Sequence, residues 1–304
     1  MIRRRETIAY LCTVLLALTC VAAKPKSKQR FKPVRPMEVP DSVSEVRKAE
    51  PVAPPPGSVS KVAPVTRSAA VMVIDARTGE ILYEKNADAV RPPASTQKLL
   101  TALIVAERGF LDRPITVERS DTLAEPSKLN IKAGETYTRL ELLRALLVKS
   151  SNDVACTLAR DTAGSVDAFA ALMNQKAREL GAHHSNFVNA NGLPSPGQYS
   201  SARDLSIIAK AAYANSTIRS IVCLPRVAFR YSNGRVRELE NTNKLLRRLA
   251  YCNGMKTGYT DAAGKCLIAS GARPGRDIIV VVLGNTSSGI WKDAGALLSW
   301  GLWM

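Results

Sequence analysis

Histidine is nearly absent from this chain of 304 residues: there are two, and His183 and His184 are neighbours. Adjacent positions do not share a helix face, and no other histidine is present to complete a ligand set. No metal site is therefore expected, and the pair reads as loop. Cysteine is also sparse, with six residues, no Cys-x-x-Cys and no zinc spacing. Cys156 falls in an apolar helical pattern and reads as a small buried hydrophobe. Cys252 and Cys266 flank a predicted hairpin, and a disulfide between them stays open in an oxidising compartment. Aromatic residues make up only 5%, and no aromatic–basic interleaving accompanies the net charge of +17, so no nucleic-acid partner is expected. No internal repeat is visible, and no cofactor is expected.

The N-terminus carries an address. Arg3, Arg4 and Arg5 precede an apolar stretch from Ile8 to Val21, and Val21-Ala22-Ala23 offers small residues for cleavage. Residues 1–23 read as a secretory signal peptide, short for a membrane span. Cys20 raises a lipoprotein reading that Leu18 and Thr19 disfavour; an uncleaved signal would leave an N-terminal membrane tether. Residues 24–67 hold nine of the 17 prolines, and ten Lys/Arg against four Asp/Glu. They read as a disordered, basic, proline-rich linker. Residues 68–304 form the expected domain, with about +9 of the charge. On an exported protein, such charge suits an anionic envelope polymer or an acidic membrane surface.

Within that domain, 68–75 and 80–83 read as two strands around a turn. A helix is expected from near Ala94 to Gly109, after Pro92-Pro93. Arg113 to Lys132 is loop-like. Helices follow over 140–148, from the Ser150-Ser151-Asn152-Asp153 cap to Ala163, over 166–180 and over 202–214. Strands are expected at 227–231, 254–259, 264–270 and 277–283, then a closing helix over 290–302. The connections are too short for parallel crossovers. Terminal strands sharing one sheet around an inserted helical lobe give an α+β class: an antiparallel sheet flanked by helices, with a mainly helical lobe.

Three short motifs stand in order. Ser95-x-x-Lys98 opens the first helix, where i and i+3 share a face and first-turn N–H groups are free. Taken alone it is weak, since Ser58-x-x-Lys61 repeats it in the linker. Ser150-Ser151-Asn152 comes next, and by itself would be only a helix cap. Lys256-Thr257-Gly258 falls on a predicted strand, where glycine permits close approach of another backbone or a ligand. Joint appearance in this order marks serine β-lactamases and penicillin-binding proteins.

The chain resembles the D-alanyl-D-alanine carboxypeptidases, or low-molecular-weight penicillin-binding proteins. The likeness extends through Asp75 to Tyr83, Asn186 to Leu193, Asn241 to Leu246 and Gly254 to Thr260. It implies a β-lactamase/transpeptidase-like fold and a periplasmic or cell-envelope setting. The implied activity trims a peptidoglycan stem peptide through an acyl-enzyme on Ser95, with β-lactam antibiotics as covalent inhibitors. Lys98 would take the serine proton, and Ser150 would relay a proton to the leaving amine. Asn152 would hold Lys98 and the substrate amide, and Lys256 and Thr257 the terminal carboxylate. The N–H groups of Ser95 and Tyr259, beside Gly258, would form the oxyanion hole. Thr96 and Gln97 depart from the usual intervening residues and are expected to face away from the pocket; Gln198 stands where the family commonly has histidine. The β-rich second domain and C-terminal anchor of several relatives are not expected. A β-lactamase is disfavoured because 181–203 contains no Asp or Glu. A DD-endopeptidase has the same chemistry and stays the alternative; a peptidoglycan-binding module with a dead site is disfavoured because every reacting group is present.

Overall fold

The computed structural model describes residues 61–304. The expected signal peptide, nearly all of the expected linker, Cys12, Cys20 and the serine of the second Ser-x-x-Lys lie outside the described residues.

Five strands make the central sheet: β1 (Ala70–Asp75), β2 (Ile81–Lys85), β7 (Cys252–Thr260), β8 (Gly264–Arg273) and β9 (Arg276–Asn285), in the order β2-β1-β9-β8-β7. Every pairing is antiparallel, and β1 joins β9 with Ala70 opposite Leu283 and Asp75 opposite Ile278. Strands from the start and the end of the described residues thus share one sheet, as expected. Ile278 to Leu283 is apolar without alternation because both faces are covered. Ile279, Val281 and Leu283 pack into the larger core with the helical lobe. Ile278, Val280 and Val282 pack against Ile290, Ala294, Leu297 and Leu298 of α7 (Gly289–Trp303).

The lobe contains α1 (Lys98–Arg108), α2 (Arg139–Lys149), α3 (Asn152–Ala163), α4 (Val166–Leu180), α5 (Ala202–Ala214) and α6 (Ser216–Val222). Thr138 caps α2 in a reciprocal box with Glu141, and left-handed Gly164 and Gly181 end α3 and α4. Among the described residues no helix is long and apolar enough to cross a membrane.

Several expectations change. The helix expected from Ala94 begins as a 3-10 turn, Ala94–Gln97, and becomes α-helical at Lys98. The strand expected at 227–231 does not join the main sheet. It is β5 (Arg226–Arg230), paired with β6 (Val236–Glu240) in a separate hairpin on α2. Within its two strands only Phe229 and Leu239 are buried, too few for a place inside a sheet covered on both faces. The loop-like stretch after Arg113 contains β3 (Pro114–Thr116), paired with β4 (Thr136–Thr138). The open disulfide is overturned. Cys252 and Cys266 are free thiols; Cys266 lies opposite Gly258, six residues along β7 from Cys252, which is about 20 Å of strand. A disulfide needs Cα atoms within about 7 Å.

Candidate active site

Ser95 sits in the 3-10 turn, immediately after Ala94 in a left-handed conformation (φ 49°). In a 3-10 turn, side chains at i and i+3 eclipse, which brings Lys98 directly beneath the serine. Lys98 Nζ lies 2.7 Å from Ser95 Oγ and 2.8 Å from Asn152 Oδ1, and also contacts the carbonyl oxygen of Asn191. The Asn152 amide is oriented by its Nδ2, which donates to Pro126 O at 2.6 Å, so its oxygen faces the lysine.

Lys98 is fully buried. Desolvation, with the nearby charge of Lys256, pushes its pKa well below the ordinary lysine range. Nζ donates to Ser95 Oγ and to the two carbonyl oxygens, contacts that an ammonium satisfies. In the neutral amine that the lowered pKa favours, the two carbonyl oxygens can take its two hydrogens and leave the lone pair for the hydroxyl proton of Ser95. This geometry can generate a serine alkoxide equivalent without histidine.

The wall opposite comes from β7, an outer strand of the sheet. Lys256 and Gly258 point inward, Thr257 and Tyr259 outward, as the alternating burial records. Lys256 is fully buried, donates to Thr257 O at 2.9 Å, and has its pKa lowered to about 7 by burial alone. A Cβ on Gly258 would lie 3.0 Å from both Ser95 N and Ala94 Cβ. The glycine thus lets β7 press against the backbone of Ser95, as its place on a strand suggested. Thr257 Oγ1 bonds Thr242 Oγ1 at 2.6 Å, and the exposed Tyr259 donates its hydroxyl to Asp261 at 2.7 Å.

Ser150 ends α2 in a left-handed conformation (φ 68°) and lines the cleft, but it makes no hydrogen bond to Lys98 or Ser95. Asn152, not Ser150, reaches the lysine. The α2–α3 corner also anchors the facing loop. Asp153 accepts from Leu129 N and Asn130 N at 2.9 and 2.8 Å, and Asn152 N donates to Ser127 O at 3.0 Å.

Ser95, Ser150, Thr257, Gly258 and Tyr259 share one cleft of about 620 Å³ with Ser127, Thr242 and Trp291, and the buried Lys98, Asn152 and Lys256 lie around it. All eight predicted site residues therefore belong to one region. Asn191 and Thr242 went unassigned in the sequence. Asn191-Gly192 has the composition of an ordinary turn, yet a Cβ on Gly192 (φ 84°) would fall 2.1 Å from Ala94 O. Gln198 stiffens the same loop: Oε1 accepts from Val188 N and Asn189 N at 3.2 Å, and Nε2 donates to Leu193 O at 2.7 Å. Thr96 and Gln97 are buried and turn away, Thr96 to Pro93 O and Gln97 to Asn189 O.

Comparison with known proteins follows the same lines. The family model for D-alanyl-D-alanine carboxypeptidase matches residues 58–287. A D-alanyl-D-alanine carboxypeptidase of Mycobacterium tuberculosis is 36% identical over 236 residues, 76% of this chain and 80% of that protein. One from Bacillus subtilis is 34% identical over 71% of this chain, but only 57% of its own length is covered. A D-alanyl-D-alanine endopeptidase of Pseudomonas aeruginosa is 33% identical over 71% of this chain and 70% of that protein. Among solved structures, a penicillin-binding protein homologue from Mycobacterium tuberculosis superposes with a TM-score of 0.76 at 34% identity. The match covers 82% of this chain and 95% of that one. The fold is that of the penicillin-binding proteins and transpeptidases.

Proposed function

This chain belongs to the D-alanyl-D-alanine carboxypeptidase family of serine hydrolases, and from that premise we propose that Ser95 is the nucleophile with which it removes the terminal D-alanine from a peptidoglycan stem peptide. The observation that carries this reading is the buried, deprotonation-prone Lys98 held 2.7 Å from Ser95 Oγ. As Ser95 attacks the carbonyl carbon, its proton passes to Lys98, and the oxyanion is received by the N–H groups of Ser95 and Tyr259. Collapse expels D-alanine, whose amine takes a proton by way of Ser150, and water then releases the acyl group. Asn152 holds Lys98 and the substrate amide. Lys256 and Thr257 bind the terminal carboxylate, and Gly258 keeps β7 close enough for Tyr259 to serve. The same serine would be acylated by β-lactams.

Residues 1–23 act in this reading as an export signal and 24–67 as a basic spacer, so that the domain from 68 works in the periplasm or cell envelope, tethered if the signal is retained. The test is intact mass of the protein after mixing with a penicillin, followed over time and mapped by digestion. A lasting adduct on Ser95 supports the peptidase; rapid loss of drug points to a β-lactamase; absence of any adduct overturns the reading. The endopeptidase relative keeps a second reading in view. A pentapeptide and a cross-linked dimer, compared as substrates, separate the two.

A further inference from the structure

The cleft holds more positive charge than one terminal carboxylate requires. Beyond buried Lys256, its walls carry Lys149, Lys244 and Lys265, and no Asp or Glu is among the lining residues. None of these three lysines is in an ion pair among the described residues. Of the carboxylates nearby in sequence, Glu125 is paired with Lys128 and Glu240 with Arg247, while Asp261 accepts from the Tyr259 hydroxyl, keeps its charge and offsets part of that of Lys265. Two of the ammonium groups rest on aromatic rings, Lys265 at 3.6 Å from the Tyr259 centroid and Lys244 at 5.9 Å from that of Trp291. Such contacts position a cation at the cleft wall without cancelling its charge. The three come from separate elements: the end of α2, the turn after Asn243, and the start of β8.

We propose, resting on the peptidase reading above, that Lys149, Lys244 and Lys265 are specificity residues for a second carboxylate of the stem peptide, upstream of the bond that is cut. The substrate class is then a stem peptide whose glutamate carboxylate is free rather than amidated. An amidated peptide leaves the three cations without a partner and gains nothing from them. Partly exposed charge pairs contribute modestly each, but they add at low salt and are screened at high salt.

The probes are two synthetic peptides, acetyl-γ-D-glutamyl-Nε-acetyl-L-lysyl-D-alanyl-D-alanine and its twin with the glutamate carboxylate replaced by carboxamide. Release of D-alanine is followed with the full-length protein. We expect kcat/KM for the free acid to exceed that for the amide by roughly tenfold at low ionic strength, and the ratio to collapse near 1 M salt. In the triple variant Lys149→Gln, Lys244→Gln, Lys265→Gln the ratio should drop to within about twofold of unity. Equal rates on both peptides in the unaltered protein overturn this inference and leave the peptidase reading intact. A ratio that survives in the triple variant overturns the assignment to these lysines. Hydrolysis of neither peptide overturns the peptidase reading, and the inference with it.

Discussion

Removing the buried lysine of β7 should make the protein more stable while removing its activity. Lys256 has an ordinary pKa of 10.5 when unfolded and about 7 when folded, and burial is the whole cause. Between those values the unfolded chain binds more protons, so stability rises with pH across that window. Below pH 7 the folded state carries the full penalty, about 5 kcal/mol, and at pH 7 still about 4 kcal/mol. By pH 9 it has fallen to about 2 kcal/mol. In Lys256→Met the methionine keeps most of the stem's volume, and the lost hydrogen bond to Thr257 O costs about 1 kcal/mol. The net gain near pH 7 is about 3 kcal/mol, which for a domain of this size raises Tm by about 10 °C. Thermal unfolding followed by circular dichroism at pH 6, 7 and 9.5 measures it. The gap between variant and parent should shrink steadily with pH. A gap that is absent, or equal at pH 6 and 9.5, would refute the reasoning, because it would mean that Lys256 is not held against a desolvation penalty.

Other outcomes follow from the same geometry. Gly258→Ala places a methyl 3.0 Å from Ser95 N, where ordinary contact needs about 0.4 Å more; penicillin acylation of Ser95 should slow roughly tenfold, and an unchanged rate would show that the strand can give way. Gln198→Ala strips the acceptor from Val188 N and Asn189 N, and should cost about 1–3 kcal/mol in unfolding free energy and slow acylation through the Asn191 carbonyl. Loss of neither stability nor rate would remove Gln198 as the brace of that loop. Among Cys156, Cys223, Cys252 and Cys266, native iodoacetamide should label Cys223 first, since the other three are buried and burial pushes the Cys252 and Cys266 thiols up to about 11. All four should label after unfolding, and a mass lower by about 2 Da under oxidising conditions would contradict the free thiols.

What was legible in the sequence was whatever side-chain type and period can carry. The helices over 166–180 and 202–214 emerge with the expected bounds because a capping serine precedes each and an apolar stripe fills it. The three motifs were legible because the nucleophile, base and carboxylate binder proposed for them must each be a particular side chain. The β5–β6 hairpin was half seen: Val236 to Glu240 has one buried residue and three charges, and does not announce a strand. The 3-10 turn was invisible for another reason, since no periodicity separates three residues per turn from 3.6 over a single turn.

The site's remaining parts were hidden because they are made of backbone. A neutral Lys98 can turn its lone pair to Ser95 when acceptors take its two hydrogens, and one of those acceptors is the carbonyl of Asn191, which any residue would possess. Yet the position was not silent. Gly192 follows it at positive φ, with room for no side chain against Ala94 O, and Asn189 Oδ1 takes Gly192 N at 2.8 Å. A turn so tightly held is more than a connection. It fixes the left-handed Ala94, and Ala94 sets where Ser95 stands over the lysine. An Asn-Gly pair followed within a few residues by a glutamine bonding three backbone groups is therefore a sequence trace of the acceptor itself. Gly192→Ala should accordingly lose penicillin labelling of Ser95 by more than Gly258→Ala does, because the clash falls on backbone at 2.1 Å rather than 3.0 Å. Equal losses would place the acceptor loop outside the chemistry.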